Sequence, residues 1–355
     1  MTGKRGRDAG GWVPDVLGDG FEQLTVEPDG GAPATVVRYR GTSRRWWRRP
    51  AVGTDVLYVH GWSDYFFQRP LAEFWHRAGA RFYALDLHTF GRSLRPGQVP
   101  GDARDLADFD PDIAAALAVM GHGVGPGGAA NDGAAPLGTG RRRLLLLGHS
   151  TGGLVLSLWA ARHPGAVDAL VLNSPWLEFQ ASEIARRAMT PLLEARARLL
   201  PKRALPEVDS GNYARTVSAE LGGEWTYNAA WRPAKAFALP PALLAAVFAG
   251  QERVARGLDL DLPVLVLLSD RSYLAARWRD DAASADVAIN VDTVAHRALS
   301  LGENVTIVRV PGAVHDVFLS SAPVRRRAYA RMAAWTTGAL RLGGPDAWAE
   351  RVEGL

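Results

Sequence analysis

Arg143-Leu144-Leu145-Leu146-Leu147-Gly148-His149-Ser150-Thr151-Gly152-Gly153 decides the fold. Four consecutive leucines without alternation suit a strand covered on both faces, which means a parallel sheet. A serine follows, bracketed by glycines, and then a stretch rich in Leu, Val and Ala at helical spacing. The segment fits G-x-S-x-G, a sharp strand-to-helix turn that lifts a nucleophilic hydroxyl above the sheet. Flanking glycines are needed there because a Cβ would clash in so tight a turn. The first amides of the following helix point their positive dipole end at the reacting carbon.

Working outward, the same rhythm of apolar run, turn and helical pattern repeats along the chain. Val56–His60, Arg81–Asp86, Val167–Asn173, Leu262–Leu268 and Val305–Val310 read as further buried strands. Helical patterns occupy Leu71 to Ala78, Ile113 to Met120, Leu154 to Arg162 and Val324 to Leu340. Alternating strands and helices predict an α/β, mostly parallel, doubly wound sheet. Phe21 to Glu27 and Ala34 to Tyr39 alternate apolar with polar and predict an antiparallel hairpin at the sheet edge.

Two segments break the rhythm. Residues 121–140 are almost all Gly, Ala, Pro, Asn and Asp, which predicts a flexible surface loop. Residues 175–259 contain helical patterns and no strand, and they fall between the fourth and fifth of these core strands. An insertion there would sit over the carboxyl ends of the strands, where open α/β sheets bind ligands. The expected organisation is therefore a core of residues 1–174 and 260–355, with 175–259 as a helical lid.

The composition narrows the chemistry. The 355 residues carry 41 Lys and Arg against 37 Asp and Glu, a net +4 that is too small to imply a nucleic-acid partner. The absence of Cys excludes thiol nucleophiles, Cys-ligated zinc and iron–sulfur clusters. No run reaches the roughly 18 apolar residues of a membrane span, and the basic start Met1 to Asp8 leads into no apolar stretch, so the expected location is the cytoplasm. Arg44-Arg45-Trp46-Trp47-Arg48-Arg49 reads as a solvated loop with Arg stacked on Trp, with a lipid-facing surface as the alternative.

A serine nucleophile needs a base, an orienting acid and an oxyanion site. Of the eight His, only His60, His88, His149 and His315 sit in turns after buried strands, and only His315 leaves the chain order Ser…Asp…His intact. His60, in His60-Gly61-Trp62-Ser63-Asp64-Tyr65, reads as structural. The oxyanion donors are expected from the backbone amides of Trp62 and Thr151. Two carboxylates compete for the third place: Asp270, at the plain exit of a core strand, and Asp286, further along. The aromatic insertion, with Trp225, Tyr227, Trp231 and Phe237, suggests an apolar substrate, and Tyr65, Trp176 and Trp225 are the candidate substrate-binding residues.

The stretch Phe82 to Ser93, containing Asp86-Leu87-His88-Thr89-Phe90-Gly91-Arg92-Ser93, resembles the D-x-x-x-x-G-x-S segment of α/β-hydrolases of the monoacylglycerol lipase and serine aminopeptidase branch. The His-Gly loop, Gly148 to Gly152 and the loop Gly312 to Asp316 follow in that branch's order, and the likeness covers nearly everything outside the lid and the Gly-rich loop. It implies the α/β-hydrolase fold and a triad of Ser150, His315 and an acid about 30 residues before the His, a place that Asp286 fits. Residues 271–285 are then an insertion after the strand, a departure from the branch pattern. The implied activity is hydrolysis of a carboxylic ester of an apolar acyl substrate, with a small-molecule ester as the substrate partner and no metal or organic cofactor. The alternatives are an acyltransferase or an aminopeptidase-type peptidase, the latter with Glu220 and Glu224 to hold an amine.

Overall fold

The computed structural model describes residues 11–28, 31–41, 49–123, 142–179 and 210–341, with Leu193, Ala195, Arg196, Leu199 and Leu205. In chain order the elements are β1 (Val13–Pro14), β2 (Phe21–Val26), β3 (Ala34–Tyr39), β4 (Thr54–Val59), α1 (Arg69–Ala78), β5 (Arg81–Asp86), α2 (Asp110–Met120), β6 (Arg143–His149), α3 (Thr151–Arg162), β7 (Ala169–Asn173), α4 (Asn212–Val217), α5 (Pro241–Ala255), β8 (Val264–Ser269), α6 (Val291–Ala298), β9 (Val305–Val310) and α7 (Ala322–Arg341). The strands form one nine-stranded sheet in the order β1-β2-β3-β5-β4-β6-β7-β8-β9. From β5 to β9 every pairing is parallel, while β1, β2 and β3 add antiparallel pairs at one edge. The hairpin is where the sequence predicts it, and β1 lengthens that edge by two residues too few to give a periodic signal. The strand expected from Leu262 starts at Val264, because Pro263 has no N–H to give the ladder.

The leucine run explains itself in the packing. Leu144 and Leu146 enter one core and Leu145 and Leu147 the other, on opposite faces of the sheet. Successive side chains of a strand point to opposite faces, so a strand with helices on both sides must be apolar throughout. Helices α2, α3, α5 and α6 cover the first face, and α1 and α7 the second. Among the described residues no helix is long and apolar enough to cross a membrane.

At the amino ends of the central strands lies a buried ionic knot. The Asp55 carboxylate accepts hydrogen bonds from Arg81 Nε (2.6 Å), Arg142 Nε (2.7 Å) and His122 Nε2 (2.9 Å). Burial works to raise its pKa, but the three donors outweigh it and hold the carboxyl at about 2. His122 and Arg142 stand at the two ends of 124–141, so the flexible loop expected there lies, beyond 123, outside the described residues. The Arg44 to Arg48 part of the Arg-Trp run also lies outside them.

Candidate active site

The elbow is built by sterics. Ser150 joins β6 to α3 with φ 49° and ψ −117°, a strained conformation for a residue with a side chain. The turn is so close to β4 that a Cβ on Gly152 would fall 2.3 Å from the His60 carbonyl oxygen, and one on Gly148 would fall 2.6 Å from the Gly153 Cα. Only glycine fits either place. The Ser150 amide donates to Asn173 O at 3.0 Å, tying the elbow to the end of β7.

His315 reaches the serine from the loop after β9. Its Nε2 lies 3.1 Å from Ser150 Oγ, and its Nδ1 lies 2.9 Å from Asp286 Oδ2. A carboxylate only accepts, so Nδ1 carries the proton and Nε2 is left to accept from the hydroxyl. Asp286 is fully buried, and its Oδ1 accepts from the amides of Ala288 (2.8 Å) and Ile289 (2.9 Å). Asp270 is exposed and accepts from the Gly312 amide at 2.9 Å, bracing the loop that carries His315 rather than touching the imidazole.

The chain between these two aspartates is pinched at its base. Asp286 N donates to Arg271 O (3.0 Å), and Tyr273 N donates to Asp286 O (2.7 Å). Asp286 therefore lies beside Ser272, just past the end of β8, and the intervening residues bulge outward as a side loop.

The expected oxyanion donors flank the serine. Thr151 is the first residue of α3, so its amide has no acceptor within the helix. Trp62 follows β4 through Gly61, whose Cβ position lies 3.0 Å from the Ser150 Cβ. This loop is fixed from behind by Asp86, which accepts from the amides of Phe66 and Arg92, each at 3.0 Å. The Arg92 guanidinium bridges Asp86 and Asp15 in the interior. The D-x-x-x-x-G-x-S segment is thus a brace for the loop that carries Trp62.

Residues 52–320 match the family model described as "Serine aminopeptidase, S33". The chain belongs to this family. It is similar to a monoacylglycerol lipase of Mycolicibacterium smegmatis, 28% identical over 267 residues that span 74% of this chain and 81% of that one. Among solved structures, the monoacylglycerol lipase of Paleococcus ferrophilus superposes with a TM-score of 0.56 at 19% identity, covering 81% of this chain and 97% of its own. A soluble variant of the Saccharomyces cerevisiae monoglyceride lipase gives 0.58 at 14% identity, covering 89% and 96%. The fold is that of an α/β-hydrolase.

In this member of the serine aminopeptidase family, Ser150 and His315 open into a cavity of about 450 Å³. Trp62, Trp176, Phe179, Leu244, Tyr213 and Val287 are among the residues that line it. Trp176 is the one candidate substrate-binding residue brought to this wall. Tyr65 is buried instead, its hydroxyl accepting from the Asn228 amide (2.7 Å), and Trp225 packs on Phe67 with its indole N–H donating to Leu319 O (2.8 Å). An aromatic motif cannot distinguish a residue that walls a cavity from one that braces the wall.

Beneath the base lies a polar group that sequence reasoning missed. Arg232 is 3% exposed, and its Nε sits 3.0 Å from Oδ1 of the buried Asp64. The contact is an ion pair without good hydrogen-bond alignment, and burial pushes Asp64 up to about 6 despite it. The Arg232 guanidinium also lies over the Tyr213 ring, 4.6 Å from its centroid. Asp64, His149 and Asp316 hold three ligand-type atoms within 4.8 Å of one another. Their chemistry is already committed: Arg232 supplies a cation to Asp64, Asp316 accepts from Asn173, Gln68 and the Phe318 amide, and His149 bonds through both nitrogens.

Proposed function

We propose that the protein is a serine hydrolase that cleaves carboxylic esters of apolar acyl groups through an acyl-enzyme on Ser150. The observation that carries this reading is the unbroken chain Asp286–His315–Ser150, with contacts of 2.9 and 3.1 Å, at the floor of an apolar cavity. His315 takes the Ser150 proton as Oγ attacks the carbonyl, and Asp286 stabilises the imidazolium that results. The amides of Trp62 and Thr151 hold the developing oxyanion. His315 then passes its proton to the alcohol oxygen as the C–O bond breaks, and water returned through the same base releases the acid.

Residues 175–259 act as the lid of this site, since Trp176, Phe179, Phe237, Leu239 and Leu244 all come from them. Two features support ester over peptide. The similar protein of Mycolicibacterium smegmatis is a monoacylglycerol lipase. A substrate amine would need a carboxylate, and among the described lining residues there is no Asp or Glu; Glu224 is instead paired with Arg325.

A fluorophosphonate probe with peptide mass analysis tests the nucleophile. Labelling should map to Ser150 and vanish in Ser150→Ala; undiminished labelling of that variant defeats the assignment. A panel of p-nitrophenyl esters beside aminoacyl-nitroanilides tests the substrate class, with esters expected to be turned over faster.

A further inference from the structure

Between the end of β8 and Asp286 the chain bulges outward as a side loop, and part of that loop returns to the cavity. Leu274, Ala275 and Ala276 belong to the lining, although all three are exposed to solvent. Ser150 is 9% exposed and His315 3%, against 45% for Leu274. The serine and its base therefore lie at the floor, and the side loop forms part of the rim where the cavity opens. A single exposed leucine on a protein surface needs no explanation. Leu274 differs from the other exposed large apolar residues among those described, because it alone also lines the cavity.

This part of the rim is held in place before any substrate arrives. Asn212 and Arg215, both on α4, grip it from outside the loop. Asn212 Nδ2 donates to the carbonyls of Ala275 (3.0 Å) and Ala276 (3.3 Å), and the Arg215 guanidinium lies 4.3 Å from the centroid of the Trp278 ring. Within the loop, the Tyr273 hydroxyl donates to Arg277 O at 2.6 Å and the Arg271 guanidinium to Ser284 Oγ at 2.5 Å. A surface ordered in advance loses little freedom when a ligand covers it. Covering Leu274 removes apolar surface from water, a gain open only to a substrate that extends from the floor to the rim.

We propose that the side loop of residues 272–285 is a chain-length selector, with Leu274 favouring esters that carry a long apolar chain over short ones. The inference rests on Ser150 and His315 acting as proposed above. An apolar chain on either half of the ester has the required chemistry, and the test separates the acyl half from the alcohol half.

The test measures kcat/KM below saturation for two pairs of esters on the full-length protein. p-Nitrophenyl butyrate against p-nitrophenyl decanoate varies the acyl half, and ethyl butyrate against octyl butyrate varies the alcohol half. The longer ester should be favoured at least about tenfold in one pair, since a single methylene in an apolar pocket is worth about that much. In Leu274→Asp the long-to-short ratio of that pair should fall at least about fivefold, because the chain then meets a charge at the rim. Leu274→Ala should lower it at least about threefold. No preference for the longer ester in either pair overturns the proposal, as does an unchanged ratio in a Leu274→Asp protein of wild-type melting temperature. If that variant does not fold, Leu274→Ala decides by the same criterion. Absence of turnover of all four esters overturns the proposed function, and this inference with it; turnover with flat ratios overturns the selectivity alone.

Discussion

Replacing Asp286 with asparagine should disable the site while sparing the fold. The asparagine Oδ1 can still accept from Ala288 N and Ile289 N, which hold the loop at 2.8 and 2.9 Å. The change falls on the other atom. An NH₂ group now faces His315 Nδ1, where a carboxylate oxygen stood at 2.9 Å. Two donors cannot share that contact, so the imidazole moves its proton to Nε2 and points it at Ser150 Oγ. The base then has no lone pair for the serine proton. The same inversion in a serine protease triad costs about 10⁴ in kcat, which is about 5 kcal/mol of transition-state stabilisation. Asp270→Asn, measured beside it, keeps an oxygen for Gly312 N and removes only an exposed charge, so it should leave kcat within about threefold. Steady-state hydrolysis of p-nitrophenyl butyrate gives kcat, and calorimetry checks that both variants fold. An Asp286→Asn enzyme within tenfold of wild type would refute the reasoning; so would a collapse of activity in Asp270→Asn.

Three further outcomes are expected. Gly152→Ala should abolish fluorophosphonate labelling and cost more than about 2 kcal/mol in denaturant unfolding, because the new methyl meets backbone oxygens of Val59 and His60 that cannot withdraw. Trp225→Phe should lose the hydrogen bond to Leu319 O and part of the ring face under Arg325, at least about 1 kcal/mol in unfolding, with kcat/KM within about twofold of wild type. Asp55 titrates below its ordinary 3.8, at about 2, so the stability it contributes is present above pH 3.8 and lost as the pH falls through about 2. The melting-temperature gap between wild type and Asp55→Asn should therefore be full at neutral pH and close near pH 2, and a gap that persists there counts against the ionic knot.

What could be read before folding follows from how local each constraint is. The elbow was legible because sterics tie its glycines to the serine within six residues, and the leucine run of β6 announced its own two-sided burial. The acid was harder. Asp270 leaves a core strand directly, and nothing local marks 271–285 as a side loop. Only the family spacing pointed to Asp286, and a pair of backbone hydrogen bonds brings it back beside Ser272 and within reach of His315. Arg232 gave no signal at all. A lone arginine in an irregular segment reads as solvated, and its burial depends on Asp64, 168 positions earlier in the sequence.

The knot around Asp55 separates the working end of the molecule from a place where the chain can be cut open. One carboxylate grips both His122 and Arg142, so the described chain on either side of 124–141 is fastened at a single point. Lengthening such a stretch costs only about 0.6 kcal/mol per doubling. Arg142, beside the start of β6, lies roughly 20 Å from Ser150, the length of a strand of this size. The enzyme could be immobilised by a handle beside Arg142, at the end of β6 opposite Ser150.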